Sequence, residues 1–295
     1  MLTGVLAGLG AGALWGLVFV APRMVAGYSP VDLTAGRYAA YGALAAVLMV
    51  SRLRRRPLPS GAQALAAAGM SLLGFTGYYL LLVLAVRDSG TEVPTLVIGT
   101  IPVWVMLLGK PGHLRWQALA PGLLLTLLGL ALMVQAPEAG AAALPHFWRG
   151  VLLAIAALVC WTAFAVLNAA WLRRHPDVEA TDWANWLGLA TGAGALLLWV
   201  AAGSPARDLA AQPDRALFVL LAVATGVGSA WLATILWNIA SRRLSVSLCG
   251  QLIVSETLFA LLYSFAWDGH WPGPSQLAAA LLFTLGILAS IKAHR

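Results

Sequence analysis

A chain of 295 residues that is 61% hydrophobic and 10% charged, with a mean hydropathy of +0.84, falls far short of the roughly 25% charged residues typical of a soluble domain. Its net charge of +7 invites a nucleic-acid reading, but the basic residues sit in short segments between apolar runs, where they report membrane topology. A soluble fold is excluded, and nucleic acid is not an expected partner.

A bilayer core about 30 Å thick takes roughly 20 apolar residues per helical crossing. Ten stretches qualify, at about 3–27, 30–50, 61–86, 92–109, 117–135, 150–172, 182–202, 215–240, 244–267 and 275–291. The connectors leave no room for a soluble catalytic domain. The expected fold class is an all-α integral membrane protein with ten transmembrane helices. The N-terminus lacks a basic start and an A-x-A-like site, and its apolar run is too long for a cleavable signal, so it reads as the first crossing.

The first stretch has glycines at 4, 8, 12 and 16, a spacing that lets a neighbouring helix approach closely in lipid. Its Trp15 lies at mid-span, where a leucine would cost least, and Pro22 near its end is a candidate kink and gating hinge. In the second stretch Arg37 follows Pro30 by seven residues. It can snorkel to the interface, pair with Asp32 or meet a substrate carboxylate, and snorkelling is the expectation. The run "SRLRRRPLPS" that follows reads as an inner-leaflet anchor.

Gly74 and Tyr78 share a face of the third stretch, with Tyr79 beside them. Thr95 and Thr100 dot the fourth, where Pro102 is a second candidate hinge. In the sixth, Trp161 and Asn168 share a face, and Cys160 adjoins the first of them. The eighth carries Trp231, Thr234, Asn238 and Ser241 at helical spacing, and the ninth repeats Ser247, Gln251 and Ser255 every four residues. Such stripes suit a ligand with an apolar body and a polar head. Interhelical hydrogen bonding explains the single Ser and Thr residues equally well, and Asn238, Gln251 and the tyrosine pair less well.

Of the thirteen tryptophans, Trp116, Trp148, Trp171, Trp183, Trp199, Trp267 and Trp271 fall near predicted interfaces and read as belt residues. Trp15, Trp161 and Trp231 lie ten or more residues inside their spans. Their indole N–H groups need partners there, which makes them candidates to line a wet cavity, with helix packing as the alternative. Glu256 lies twelve residues into the ninth stretch. An acid at that depth costs roughly 2.5–3.5 kcal/mol on insertion scales and must face water or a partner; proton coupling and a structural or gating role are both open to it.

Cys160 and Cys249 match no metal or redox spacing, and His113, His146, His175, His270 and His294 all fall in connectors or the tail, so neither a metal nor a cofactor is expected. With the N-terminus inside, one set of connectors and the C-terminus hold twelve Lys and Arg residues, from Arg52, Arg54, Arg55 and Arg56 to Arg242, Arg243 and Lys292. The opposite set holds four: Arg87, Arg149, Arg207 and Arg215. Both termini are therefore expected in the cytoplasm.

The two halves are related. A shift of 146 lays Trp15 on Trp161 and Pro30 on Pro176; a shift of 155 lays Ala85 on Ala240, Arg87 on Arg242, Pro102 on Thr257 and Trp104 on Phe259; a shift of 159 lays Gln117 on Gln276. The expected units are residues 1–140 and 148–295. Each holds five crossings, so the second copy enters the membrane from the opposite side. Inverted repeats are the architecture of secondary transporters, with the substrate site near mid-membrane between them.

The opening "ALWG", "TIPVWVMLLG" in the first half and "SETLFALLYS" in the second resemble the drug/metabolite transporter superfamily, in its ten-helix branch of EamA-type exporters, over the full chain. Such families show a Glu-Pro-Val-Phe-like stretch in the ninth helix; here it reads Glu256-Thr257-Leu258-Phe259, without the proline that the first half keeps as Pro102. The mid-membrane aromatics are most similar to those of bacterial aromatic amino acid exporters. The resemblance implies that helices 1–4 and 6–9 surround a central cavity, with helices 5 and 10 set apart.

The first helix and its counterpart, the sixth, offer no acid for a lipophilic cation, and no Lys or Arg lies at mid-depth for a phosphorylated sugar. The expected function is export of amino acids, aromatic or large apolar ones preferred, by alternating access; the alternative is export of other small neutral metabolites or drugs. A membrane-embedded enzyme lacks a clustered His, Asp or Arg centre, and a channel needs no internal duplication. Substrate contacts are expected from Trp15, Tyr78, Tyr79, Thr100, Trp161, Asn168, Trp231, Asn238 and Gln251, with coupling or gating at Glu256, Pro22 and Pro102. Expected partners are a small-molecule substrate and the lipid bilayer of a bacterial inner membrane; the oligomeric state stays open, a monomer being sufficient.

Overall fold

The computed structural model describes residues 1–52, 58–89, 92–133, 145–269 and 273–294. Arg54, Arg55 and Arg56 of the basic run, His270, Trp271 and the end of the first unit at 140 lie outside them.

The described residues form ten helical rods: α1 (Leu2–Met24), α2 (Pro30–Ser51), α3 (Gly61–Ser89), α4 in two pieces (Glu92–Gly99 and Ile101–Leu108), α5 (Trp116–Leu132), α6 (Phe147–Arg174), α7 (Ala180–Ala202), α8 (Arg215–Arg243), α9 (Val246–Trp267) and α10 (Pro274–Ala293). Eight are long and apolar enough to cross a bilayer, and α4 and α5 contribute shorter apolar stretches. The protein is an all-α membrane protein.

The packing repeats with the halves. Equivalent helices meet each other, α2 against α7 and α5 against α10. The remaining contacts come in matched sets, α1 against α8 and α9, and α6 against α3 and α4. That exchange of partners is what an inverted pair of five-helix repeats requires.

Small residues set the closest approaches. A Cβ on Gly16 would lie 2.9 Å from the backbone nitrogen of Ala260 in α9, and one on Gly42 of α2 would lie 2.5 Å from Cα of Gly192 in α7. The glycine ladder of α1 thus seats α9, with Gly8 facing Leu252 and Gly12 facing Ser255, while Gly4 faces Leu244 just before that helix begins.

Four rods are interrupted, and the prolines are not simple kinks. After Gly16, α1 tightens into a 3₁₀ turn at Leu17–Phe19, and Pro22 then opens a new helical piece, Ala21–Met24. Pro102 likewise sits in the first turn of Ile101–Leu108, after a break at Thr100. A proline suits a first turn because its missing N–H has no intrahelical partner there anyway. In α3, Phe75 leaves the helical region (φ −130°, ψ −88°) between Gly61–Gly74 and Thr76–Ser89. In α8, Gly226–Leu232 is π-helical, a form concentrated at functional sites.

Burial shows where the bundle opens. In α9 every residue from Val246 to Ser255 is buried, and every residue from Glu256 to Leu261 is partly exposed. In α3 the whole run Gly77–Leu84 is partly exposed. The loosened half of α9, beyond its fully buried half, and the partly exposed run of α3 flank a cleft. It is sealed toward the end that carries both chain termini and widens away from it.

Candidate functional site

At the floor of the cleft three indoles meet, one each from α1, α6 and α8. Ring centroids are 6.2 Å apart for Trp15 and Trp161, 5.4 Å for Trp15 and Trp237, and 6.2 Å for Trp161 and Trp237. Tilted and edge-to-face geometries such as these suit the ring quadrupoles. The file continues from Trp161 to Phe164 (6.1 Å), Phe75 (5.6 Å), Tyr38 (6.0 Å) and Tyr79 (6.4 Å), ending on α2 and α3. Trp15 and Trp161 remain partly exposed. Trp237 is 1% exposed, yet its Nε1–H has no acceptor among the described residues. A buried donor without a partner is costly, and here it lies against the two partly exposed indoles.

Charged and phenolic groups lie on the neighbouring helices. Tyr78 of α3 and Glu256 of α9 are both partly exposed. Arg37 holds its guanidinium 5.0 Å over the ring of Tyr38, and its buried Nε has no partner among the described residues. Asp32 does not serve it: that carboxylate accepts from the Ser29 hydroxyl at 2.7 Å and from the Ser204 amide and hydroxyl at 2.8 and 2.6 Å. The buried Nε and the Tyr38 ring hold the side chain against α2, with pairing to Asp32 closed to it.

The other expected residues divide by partner. Asn168 accepts from Trp183 Nε1 at 2.7 Å and donates to Asn238 at 3.2 Å, and Asn238 donates to the Ala180 carbonyl at 3.2 Å. Its three side chains are buried, and the network ties α6, α7 and α8 together on the sealed side of the indoles. Trp183, expected in the interfacial belt, is fully buried within it and stacks 3.7 Å from Trp171. Gln251 faces away from the indoles: it donates to Thr126 of α5 at 2.9 Å and accepts from Ser290 of α10 at 3.0 Å. Trp231 donates to Asn185 of α7 at 2.9 Å. The Thr100 hydroxyl donates back to Val97 at 2.6 Å, and the Tyr79 hydroxyl donates to the Pro30 carbonyl at 3.0 Å, at the open end.

Trp237 was missed by stripe reading for a physical reason. It lies six residues beyond Trp231, off the face that a 3.6-residue period projects from that residue. Arg37 carried a signal, a cation inside an apolar span, but its partner depends on which donors occupy Asp32, here Ser29 and Ser204. Near the open end, Asp88 of α3 accepts two bonds from Arg149 of α6, at 2.6 and 3.1 Å. At the sealed end Arg242 donates to the carbonyls of Val178 and His175. Among the described residues no group of three or more His, Cys, Asp or Glu side chains could hold a metal ion.

Residues 2–135 and 148–291 match the EamA-like transporter family, one match in each half. The chain is 34% identical to the inner membrane protein YtfF of Escherichia coli (strain K12), over 99% of its own length and 96% of that protein's. A solved crystal structure superposes with a TM-score of 0.78 and 23% identity, covering 99% of this chain and 97% of the other. At that identity the match establishes a shared fold.

Proposed function

The chain belongs to the EamA-like transporter family, and from that membership we propose that it is a secondary exporter of amino acids with aromatic or large apolar side chains. The observation that carries the reading is the triad of Trp15, Trp161 and Trp237 at the floor of a cleft, with an indole N–H left unpaired. An apolar wall with a few polar groups is what an amino acid with a ring side chain needs. Trp15, Trp161 and Tyr78 bind substrate. Asn168 and Asn238 latch the sealed end, Trp231, Gln251, Tyr79 and Thr100 position their helices, and Glu256 and the breaks at Pro22 and Pro102 serve gating. Residues 1–140 and 148–295 act as the two moving units, in a bacterial inner membrane with both termini cytoplasmic and a monomer as the working unit. Alternation rocks α3, α4, α8 and α9 about the indoles, opening the sealed end as the other closes.

Purified protein in liposomes tests this with a panel of labelled amino acids and neutral metabolites. Phenylalanine and tryptophan should move faster than serine or a neutral sugar, and no preference for the aromatic members would overturn the reading.

A further inference from the structure

An arginine in a membrane span that finds no anion is an unfinished contact. Arg37 makes no ion pair within 4.0 Å among the described residues, its Nε is buried and unpartnered, and Asp32, the nearest acid in sequence, is consumed by Ser29 and Ser204. Charged groups at such positions face water or a partner of opposite sign. A guanidinium offers a planar fork that matches a carboxylate in two parallel hydrogen bonds.

Its height in the cleft follows from backbone contacts. The Arg37 carbonyl lies against Gly226, where a Cβ would approach it to 2.7 Å. Three residues further along α8, the Ser229 hydroxyl donates to the carbonyl of Leu14 at 2.5 Å, beside Trp15. The backbone of Arg37 therefore lies on the open-end side of Leu14 and the indole that follows it. Both contacts fall within the π segment Gly226–Leu232, and the missing Cβ of Gly226 lets the backbone of α2 come this close.

We propose that Arg37 is the carboxylate-recognition residue of the cleft, so that the substrate is a carboxylate with an apolar body seated on Trp15, Trp161 and Trp237. This rests on the transport reading for the cleft but makes a separate demand, on the head group rather than on the body.

The test uses the full chain in detergent and measures the rise in melting temperature caused by paired ligands: phenylalanine and phenylalaninamide, leucine and leucinamide. A ligand that binds the folded state alone raises stability according to its affinity. In the wild type the carboxylates should stabilise and the amides should not. Arg37→Gln should weaken carboxylate binding on the order of 10- to 100-fold, as loss of one partner of a buried charged pair does, and Arg37→Lys should restore part of it. The melting temperature of each ligand-free variant shows that it is folded. Preference for leucine over phenylalanine with the same dependence on residue 37 would leave this assignment standing and overturn the aromatic reading. Equal stabilisation by acid and amide, a carboxylate preference that survives in Arg37→Gln, or no response to any carboxylate would overturn the assignment itself.

Discussion

Trp237 and Asn168 both sit in fully packed surroundings, and their polar atoms have opposite fates. The Trp237 N–H is buried without an acceptor, so removing it relieves a desolvation cost. Trp237→Phe should leave the melting temperature unchanged or slightly raised, while KM for an aromatic amino acid rises roughly 2- to 10-fold, the range of one hydrogen bond worth about 0.5–1.5 kcal/mol. Unchanged KM would show that the N–H takes no part in binding. Asn168→Ala acts the other way, because it strands Trp183 Nε1 and the amide of Asn238. Each orphaned buried group costs about 1–3 kcal/mol, so a clear fall in melting temperature is expected, and a variant as stable as the wild type would mean that the network is not closed. Trp15→Ala and Trp161→Ala should reduce aromatic uptake selectively in liposomes.

Helices in this bundle approach through bare backbone and bend where the ladder is broken. Gly42 and Gly192 bring α2 and α7 into direct contact, and a Cβ there meets backbone that cannot rotate away. Gly42→Ala should destabilise by about 1–3 kcal/mol, the range for overpacking, read as a drop in melting temperature. Gly69→Ala is the control, since a Cβ at that exposed helical position of α3 meets nothing within 4 Å and helix propensity favours alanine over glycine. Equal effects at both positions would remove close approach as the explanation. The interruptions at Phe75, at Thr100 and in the π segment all belong to helices that the proposed cycle moves. Backbone already released from its i→i−4 ladder can change angle without breaking further hydrogen bonds.

Across the whole molecule, the cleft predicts a pattern of accessibility along one helix. In a background with Cys160 and Cys249 replaced by serine, single cysteines at positions 257, 258 and 261 of α9 should react with a membrane-impermeant thiol reagent applied to the face away from the termini. Those at 248, 252 and 254 should be protected. Uniform reactivity along α9 would contradict an open and a sealed end. Labelling at positions 52 and 242 tests the proposed orientation, which requires both on the side of the termini. The Asp88–Arg149 pair joins α3 to α6 near the open end; reversing both charges should preserve uptake that either single reversal lowers.

Hydropathy determined the ten crossings from the sequence, and the order of matches between halves determined the inverted repeat, because length, apolarity and duplication are written along the chain. The glycine ladder of α1 was legible for the same reason: four residues of spacing is one face of one helix. Trp15 and Trp161 were legible as a pair because duplication placed them at equivalent points. Which neighbour a polar side chain meets was not legible. Gln251 turned to α5 and α10 and Trp183 left the expected belt for the core, each through a contact with a helix distant in sequence. Only the tertiary structure could decide these, since a stripe defines a face of a helix while the packing of other helices defines what that face confronts.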